Sequence, residues 1–430
     1  MAGLAEADAA RMRQALAAGR IDEAERLAKR VLTIRPAHAE ARKLRAVLAW
    51  RRGDAATGLQ QIRRAAASAP QDLEIGGIHA RQAMEAGLFD EAIAARRRAC
   101  ARAPSRPRDI DLALDLLAAG RFDEGWAQHE RRLPDGAPPT DSPLFAELAR
   151  HKRPSWDGSA ADGASVLVMG EAGFGDMIQF ARYLPLVAAR AARVIYKVMR
   201  PLGRLLKAAP SLAAIAIDDG PADVFPAFDR WVLAMSLPHR LGTGGDLLGA
   251  RCPYLAADAT PATLGGAGPG RPRVGIVWGG SPLQPRDPLR SLPPDHCAAL
   301  LSRPGIEWHI LQRGPHRAAL PELRRRLAAR GADPAALVVP DGEVDFADTA
   351  ALMRQLDLVM TVDTSTAHLA GACGLAGWVL LSTVPDFRWL GTGADSPWYP
   401  SLRLFRQPAP QRWDLVVDAV HAALAQRFGV

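Results

Sequence analysis

Proline and glycine recur on one period at the start of this chain. Pro36, Pro70 and Pro104 are 34 residues apart, and Gly19, Gly53 and Gly87 keep the same spacing, with Gly120 one residue short of a fourth. Each of these three glycines precedes its proline by 17 residues. A tight turn at Gly and a stop at Pro cut the segment into paired helices. Gly19-Arg-Ile-Asp-Glu-Ala recurs as Gly87-Leu-Phe-Asp-Glu-Ala and, weakened, as Gly120-Arg-Phe-Asp-Glu-Gly. Small residues (Ala24, Gly58, Ala92, Gly125) keep the period where neighbouring helices must approach closely.

The period is that of tetratricopeptide repeats, so residues 1–133 are expected to form a short helical solenoid whose concave face holds a peptide or protein segment. Residues 1–132 carry 24 Lys/Arg against 18 Asp/Glu, most of the chain's net charge of +8. A basic groove would favour an acidic partner, and arginines that merely solvate outer helix faces are the alternative. Few aromatic residues and no recognition motif accompany the charge, so no nucleic-acid partner is expected.

No apolar run among the 430 residues reaches the length of a membrane span, and the first residues carry acid where a signal peptide carries base. Cys100, Cys252, Cys297 and Cys373 are scattered without metal-ligand spacing. They fit reduced thiols, and a cytoplasmic protein with no integral membrane segment is expected.

Residues 134–162 are rich in breakers and read as a linker. That separation predicts repeats dispensable for chemistry in the rest of the chain and needed for choosing its partner. Short apolar runs then alternate with helical patterns. They define one α/β unit over 163–259 and a second over 272–430, with a Gly/Ala/Pro hinge at 260–270. Strands are expected at 165–169, 193–199, 213–217, 230–235, from 273, and at 307–311, 336–339, 358–362 and 378–381. The loops at 170–176, 278–290 and 363–368 leave carboxyl ends of predicted parallel strands, where such folds bind ligands, and can face one cleft.

The run Leu358 to Val362 ends at Asp363 and breaks into Thr364, Ser365 and Thr366 at a helix start. Free N–H groups and the positive end of a helix dipole bind phosphate there; a plain junction with Asp363 as N-cap is the alternative. Gly170, Gly173 and Gly175 punctuate a second strand–turn–helix junction, with a helix expected from Met177 to about Arg190. Their spacing is not the dinucleotide fingerprint. Asp176 there is either a helix cap or a carboxylate available as a general base.

Three blocks together resemble the heptosyltransferase-like glycosyltransferases of family 9, which have the GT-B fold of two Rossmann-like domains. They are Gly-Glu-Ala-Gly-Phe-Gly-Asp-Met-Ile-Gln-Phe-Ala-Arg-Tyr-Leu-Pro (170–185), Val-Gly-Ile-Val-Trp-Gly-Gly-Ser-Pro (274–282, continuing to Asp287, Arg290 and Ser291), and Asp357 to Gly374. The tail, with Pro385-Asp-Phe-Arg-Trp389, Ser396-Pro-Trp-Tyr-Pro400 and Leu404-Phe-Arg-Gln407, is similar to the subset carrying tetratricopeptide repeats ahead of the transferase, as in bacterial flagellin glycosyltransferases. The resemblance implies a nucleotide-sugar donor as co-substrate and no cofactor. It makes Asp176 the base that deprotonates the acceptor hydroxyl and Arg290 the cation on donor phosphate. Asp363 would contact the donor sugar, and Thr364, Ser365 and Thr366 would hold the diphosphate. His368 and Gly279 belong to the same donor set. For His368 a structural role bonded to a neighbouring loop is the alternative. Arg286 is a second phosphate candidate, with a solvated loop arginine as the alternative. Gln284 stands where that subset is expected to have His, and Pro288-Leu289 interrupts its basic stretch.

The expected activity is therefore a metal-independent inverting transfer of sugar to a protein acceptor chosen by the repeats, with flagellin Ser/Thr suggested by the resemblance. N–H groups and one Arg would stabilise charge building on the leaving phosphate. Transfer to a lipopolysaccharide core or another glycan, and a non-catalytic scaffold that keeps the fold, are the other readings.

Overall fold

The computed structural model describes residues 2–133, 137–138, 143–245, 252–256, 264, 270–340, 345–384 and 386–430. Eight helices form the repeats: α1 (Ala2–Ala17), α2 (Ile21–Ile34), α3 (Ala39–Arg51), α4 (Ala55–Ser68), α5 (Leu73–Glu85), α6 (Phe89–Arg102), α7 (Arg106–Ala118) and α8 (Phe122–His129). Gly19, Gly53, Gly87 and Gly120 turn between paired helices at φ of 71°, 82°, 75° and 78°, where a Cβ would be strained. The small positions are the close approaches the period predicts. A Cβ on Gly58 would lie 2.9 Å from Trp50, and one on Gly125 would lie 2.7 Å from Leu117. Ala24 and Ala92 are fully buried.

Much of the basic excess is used inside the solenoid. Arg13, Arg30, Arg35, Arg52, Arg63, Arg96 and Arg97 each pair with a carboxylate of the repeats. Two carboxylates, Glu85 on α5 and Asp115 on α7, lie close enough to feel the charge of Arg286 in the second α/β unit. The inner side of α5 and α7 therefore looks towards that unit.

The remainder forms two sheets. Strands β1 (Ala161–Met169), β2 (Ala191–Lys197), β3 (Ile215–Asp218) and β4 (Arg230–Leu233) run parallel in the order β3-β2-β1-β4. Strands β5 (Arg273–Val277), β6 (Glu307–Ile310), β7 (Leu337–Val338), β8 (Leu358–Val362), β9 (Gly377–Leu381) and β10 (Leu402–Arg406) run parallel in the order β10-β9-β8-β5-β6-β7. A helical repeat followed by two parallel α/β units is the architecture that the GT-B resemblance implies. β10 was not expected from sequence; it is an edge strand reached through Pro400.

Three expectations are corrected. The described part of 134–162 is not a free connector: α9 (Pro143–Arg150) buries Leu148 against Leu167, Phe228 and Trp231 of the first sheet. Trp156 N–H then donates to the Trp231 carbonyl at 2.7 Å. Second, the helix after the glycine loop is broken. α10 (Phe174–Phe180) yields to a 3₁₀ turn at Ala181–Tyr183 and a short helix, Leu184–Ala188. Pro185 has no N–H to return to the Ala181 carbonyl, so a continuous α-helix fails there. Third, the repeats are not a separate module. Trp126 of α8 is 1% exposed and meets Phe180 and Phe387 edge-on, one ring from each α/β unit. Arg132 extends this seam by donating to Glu171 at 2.9 Å and Ser236 at 2.8 Å.

Most of the expected hinge at 260–270 lies outside the described residues. Nearby, Tyr254 and Leu255 both donate to the Ala372 carbonyl at 3.0 Å, and the Tyr254 hydroxyl donates to the Ile178 carbonyl at 2.9 Å. The two α/β units are thus fastened to each other beside the cleft.

Candidate active site

Two helix N-termini meet where the sheets face each other. The first follows β1. Gly173 is the N-cap of α10, and Asp176 reaches back so that its Oδ2 accepts from Gly173 N at 3.0 Å. The second follows β8. Thr364, not Asp363, is the N-cap of the Ser365–Ala372 helix, accepting from Thr366 N at 3.3 Å. Nothing among the described residues accepts from Ser365 N–H, an orphan donor of the first turn. Gly175 lets the helices touch: a Cβ there would lie 2.6 Å from His368 Cδ2 and 3.4 Å from Ser365 Cα. Two of the three predicted loops converge by this contact.

Arg290 brings in the third. Its Nη1 donates to the Asp363 carbonyl at 2.9 Å and its Nε to Asp287 Oδ1 at 3.2 Å. It therefore lies beside the second helix start with its guanidinium mostly covered. Burial would raise the Asp287 carboxyl. Bonds from His316, Arg290 and Ser291 outweigh it and hold the group below the usual carboxylate range. The Gly279 N–H donates to Gln312 Oε1 at 2.8 Å, as does that of Trp278 at 2.9 Å. What Gly279 supplies is space, since a Cβ there would collide with the His316 ring. Arg286 is exposed at the turn just before Asp287, where its charge reaches Glu85 and Asp115 of the repeats.

The element that sequence reasoning left without a role is the loop leaving β9. Arg388 donates through Nε to Asp176 Oδ1 at 2.9 Å and also through Nη2 to the same oxygen. Its Nη1 donates to both oxygens of Asp386, at 2.9 and 3.1 Å, and its guanidinium stands 4.2 Å from the Phe387 ring centroid. Next in sequence, Trp389 Nε1 donates to Asp363 Oδ1 at 2.7 Å. One loop therefore holds both acidic candidates. Burial alone would lower the Arg388 guanidinium, but Asp176, Asp386 and Asp363 push it above its ordinary value. Burial and the charge of Asp386 push Asp363 up. Burial would raise Asp386 as well, and Arg388 more than reverses this. The usable signal was position: this loop leaves the carboxyl end of a predicted strand beside β8.

His368 is buried, with Nδ1 2.9 Å from the Tyr399 hydroxyl and its ring 5.1 Å from that of Trp389. Burial, then the charge of Arg388, holds it well below its ordinary pKa, so it is neutral near pH 7. This geometry is that of the structural alternative. Gly170 lies against the Lys197 carbonyl and Met177, where a Cβ would be 2.8 and 2.9 Å away. A cavity of about 800 Å³ opens beside it at the carboxyl ends of β1, β2 and β3, with Phe174, Met177 and Met199 on its wall.

No protein-family profile matches this chain. It is 26% identical over 365 residues to protein FlbA of Caulobacter vibrioides, covering 76% of this chain and 57% of that protein. The chain thus spans little more than half the length of this curated relative. Among solved structures it is similar to a Thermobaculum terrenum O-GlcNAc transferase variant, at 18% identity and a TM-score of 0.33, over 100% of this chain and 91% of the other. It is also similar to the E. coli ADP-heptose LPS heptosyltransferase II, at 14% identity and a TM-score of 0.41, over 61% of this chain and 99% of the other. A family 9 glycosyl transferase from Veillonella parvula gives 12% identity and a TM-score of 0.40, over 63% and 91%. Among the described residues, no helix is long and apolar enough to cross a membrane.

Proposed function

We propose that this chain is a glycosyltransferase that moves a sugar from a nucleotide-sugar donor to a hydroxyl acceptor. One observation carries the reading: two helix N-termini from separate parallel sheets meet at Gly175, with Asp176 on one and Arg290 beside the other. The donor diphosphate would lie at the Thr364–Thr366 turn, where the Ser365 N–H and the Arg290 guanidinium meet the negative charge that grows on the leaving phosphate. That charge stabilisation needs no metal. Asp363 would face the donor sugar. Asp176, on the other unit, would take the proton of the acceptor hydroxyl, which attacks with inversion in a single displacement.

The resemblance to flagellin glycosyltransferases makes a flagellin Ser or Thr the first acceptor to try. The inner side of α5 and α7, turned towards Arg286, offers a route for a protein segment to the cleft. The experiment is mass spectrometry of flagellin from the producing strain with and without this gene, alongside calorimetric titration of nucleotide sugars. Sugar lost from flagellin in the deletion strain, with donor binding by the purified chain, supports the reading. Unchanged flagellin would redirect the search to glycan acceptors, and no donor binding would leave a scaffold.

A further inference from the structure

We infer that Arg388 is a positioning residue for the transfer step, fixing which oxygen of Asp176 receives the proton. The inference rests on Asp176 being the base, as proposed above. An ionised carboxylate has about four lone-pair sites. Arg388 fills two on Oδ1 through Nε and Nη2, and Gly173 N fills one on Oδ2. One site on Oδ2 is left for the acceptor.

Arg388 is itself held. Asp386 takes Nη1 and also accepts from the Arg388 backbone N at 2.9 Å. Phe387 lies under the guanidinium, and Trp126 of the last repeat helix lies edge-on to Phe387. The guanidinium therefore cannot swing away without disturbing a packed ring and an ion pair. In the step it supports, the acceptor O–H proton passes to Asp176 Oδ2. The freed oxygen forms a bond to the anomeric carbon, and the bond from that carbon to the diphosphate breaks with its electron pair on the phosphate oxygen.

Around this pairing stand Asp386 and Asp363, which also feel Arg286 and Arg290 respectively, His368 on the facing helix, Tyr196 on β2 with Glu171 near it, and His129 on α8 near Arg132. Burial keeps both histidines and the tyrosine uncharged near neutrality.

The test uses the full chain with a nucleotide sugar that it transfers, measuring kcat and donor KM. For Arg388→Gln, kcat should fall on the order of 10²-fold with donor KM within about threefold. Arg388→Lys keeps the charge but not the two-pronged geometry. Its kcat should fall only about tenfold with donor KM unchanged, and it serves as the readout if the Gln variant does not fold. Wild-type kcat in either folded variant overturns the inference, as does a donor KM that rises in step with the loss, which would make Arg388 a donor ligand. Asp176→Asn separates the two levels. If it transfers at the wild-type rate, the base reading fails and this inference with it. If it is inactive while Arg388→Gln is not, only the positioning role fails.

Discussion

The Trp126 ring on the last repeat helix stands edge-on to the Phe387 ring of the β9 loop, with centroids 5.5 Å apart. The helical repeats thereby form part of the floor under Arg388. Trp126→Ala should cost about 3–5 kcal/mol of stability, the usual range for emptying a buried tryptophan site. A chain starting near residue 150 should lose cooperative thermal unfolding, because it exposes Phe180 and Phe387 together. A truncated chain that unfolds cooperatively at the full-length temperature would restore the view of the repeats as a separable module.

Gly175→Ala should push the two helix starts apart. Its Cβ would lie 2.6 Å from His368 Cδ2, and overpacking of this kind costs about 1–3 kcal/mol. Gly173→Ala is the control, since the nearest atom there is Asp176 Oδ2 at 3.7 Å and φ is −114°. Calorimetry should show donor affinity reduced at least about tenfold for the first, equivalent to ~1.4 kcal/mol, and nearly unchanged for the second. Equal affinities would mean that the contact at Gly175 does not shape the donor site.

Arg290→Ala should weaken donor binding and turnover together, because Arg290 stands beside the second helix start rather than beside the base. The expected loss in affinity is about 1.5–3 kcal/mol, the worth of a charge-assisted hydrogen bond. Donor titration with the nucleotide diphosphate alone checks this without an acceptor. A wild-type affinity would move the phosphate elsewhere in the cleft.

Glu91 gives a pH test inside the repeats. Bonds from Arg63, then from His79, hold its carboxyl down at about 2, against burial, which raises it. A depressed folded-state pKa contributes stability that is present above the ordinary value near 4.5 and is lost as pH falls through about 2. Glu91→Gln should therefore lower stability by about 1–2 kcal/mol at pH 7, after allowance for partial exposure, with the deficit shrinking below pH 4. Denaturant unfolding at pH 7 and pH 3 reads the difference. A deficit of the same size at both would assign the effect to packing.

What was legible in the sequence was whatever a local requirement imposes. Glycine at positive φ and a small residue at a close approach repeat because each helix pair needs them, so the solenoid could be read from Gly19, Gly53 and Gly87. Buried parallel strands such as Leu358–Val362 are nearly continuous apolar runs, and the loops after them are where ligands bind in α/β folds. The rest depends on distant partners. α9 appears as a helix because Leu148 finds the first sheet, despite the breakers around it. The Gly279 N–H is taken by Gln312, 33 residues away, a bond no local pattern announces. Asp176 was readable as cap or base, and its geometry is that of a cap held in addition by Arg388, 212 residues further on. Nothing near Asp176 in sequence announces that partner.

The most direct test of the account is a paired measurement on Asp176→Asn in the full chain: donor titration by calorimetry, and transfer rate by mass spectrometry of the acceptor. Asparagine keeps the size of the side chain and can still accept from Arg388, but it is a poor proton acceptor. The account predicts donor affinity within about twofold of wild type, with transfer reduced by about 10²–10⁴-fold. Transfer at the wild-type rate, or a wild-type chain that binds no nucleotide sugar, would contradict it.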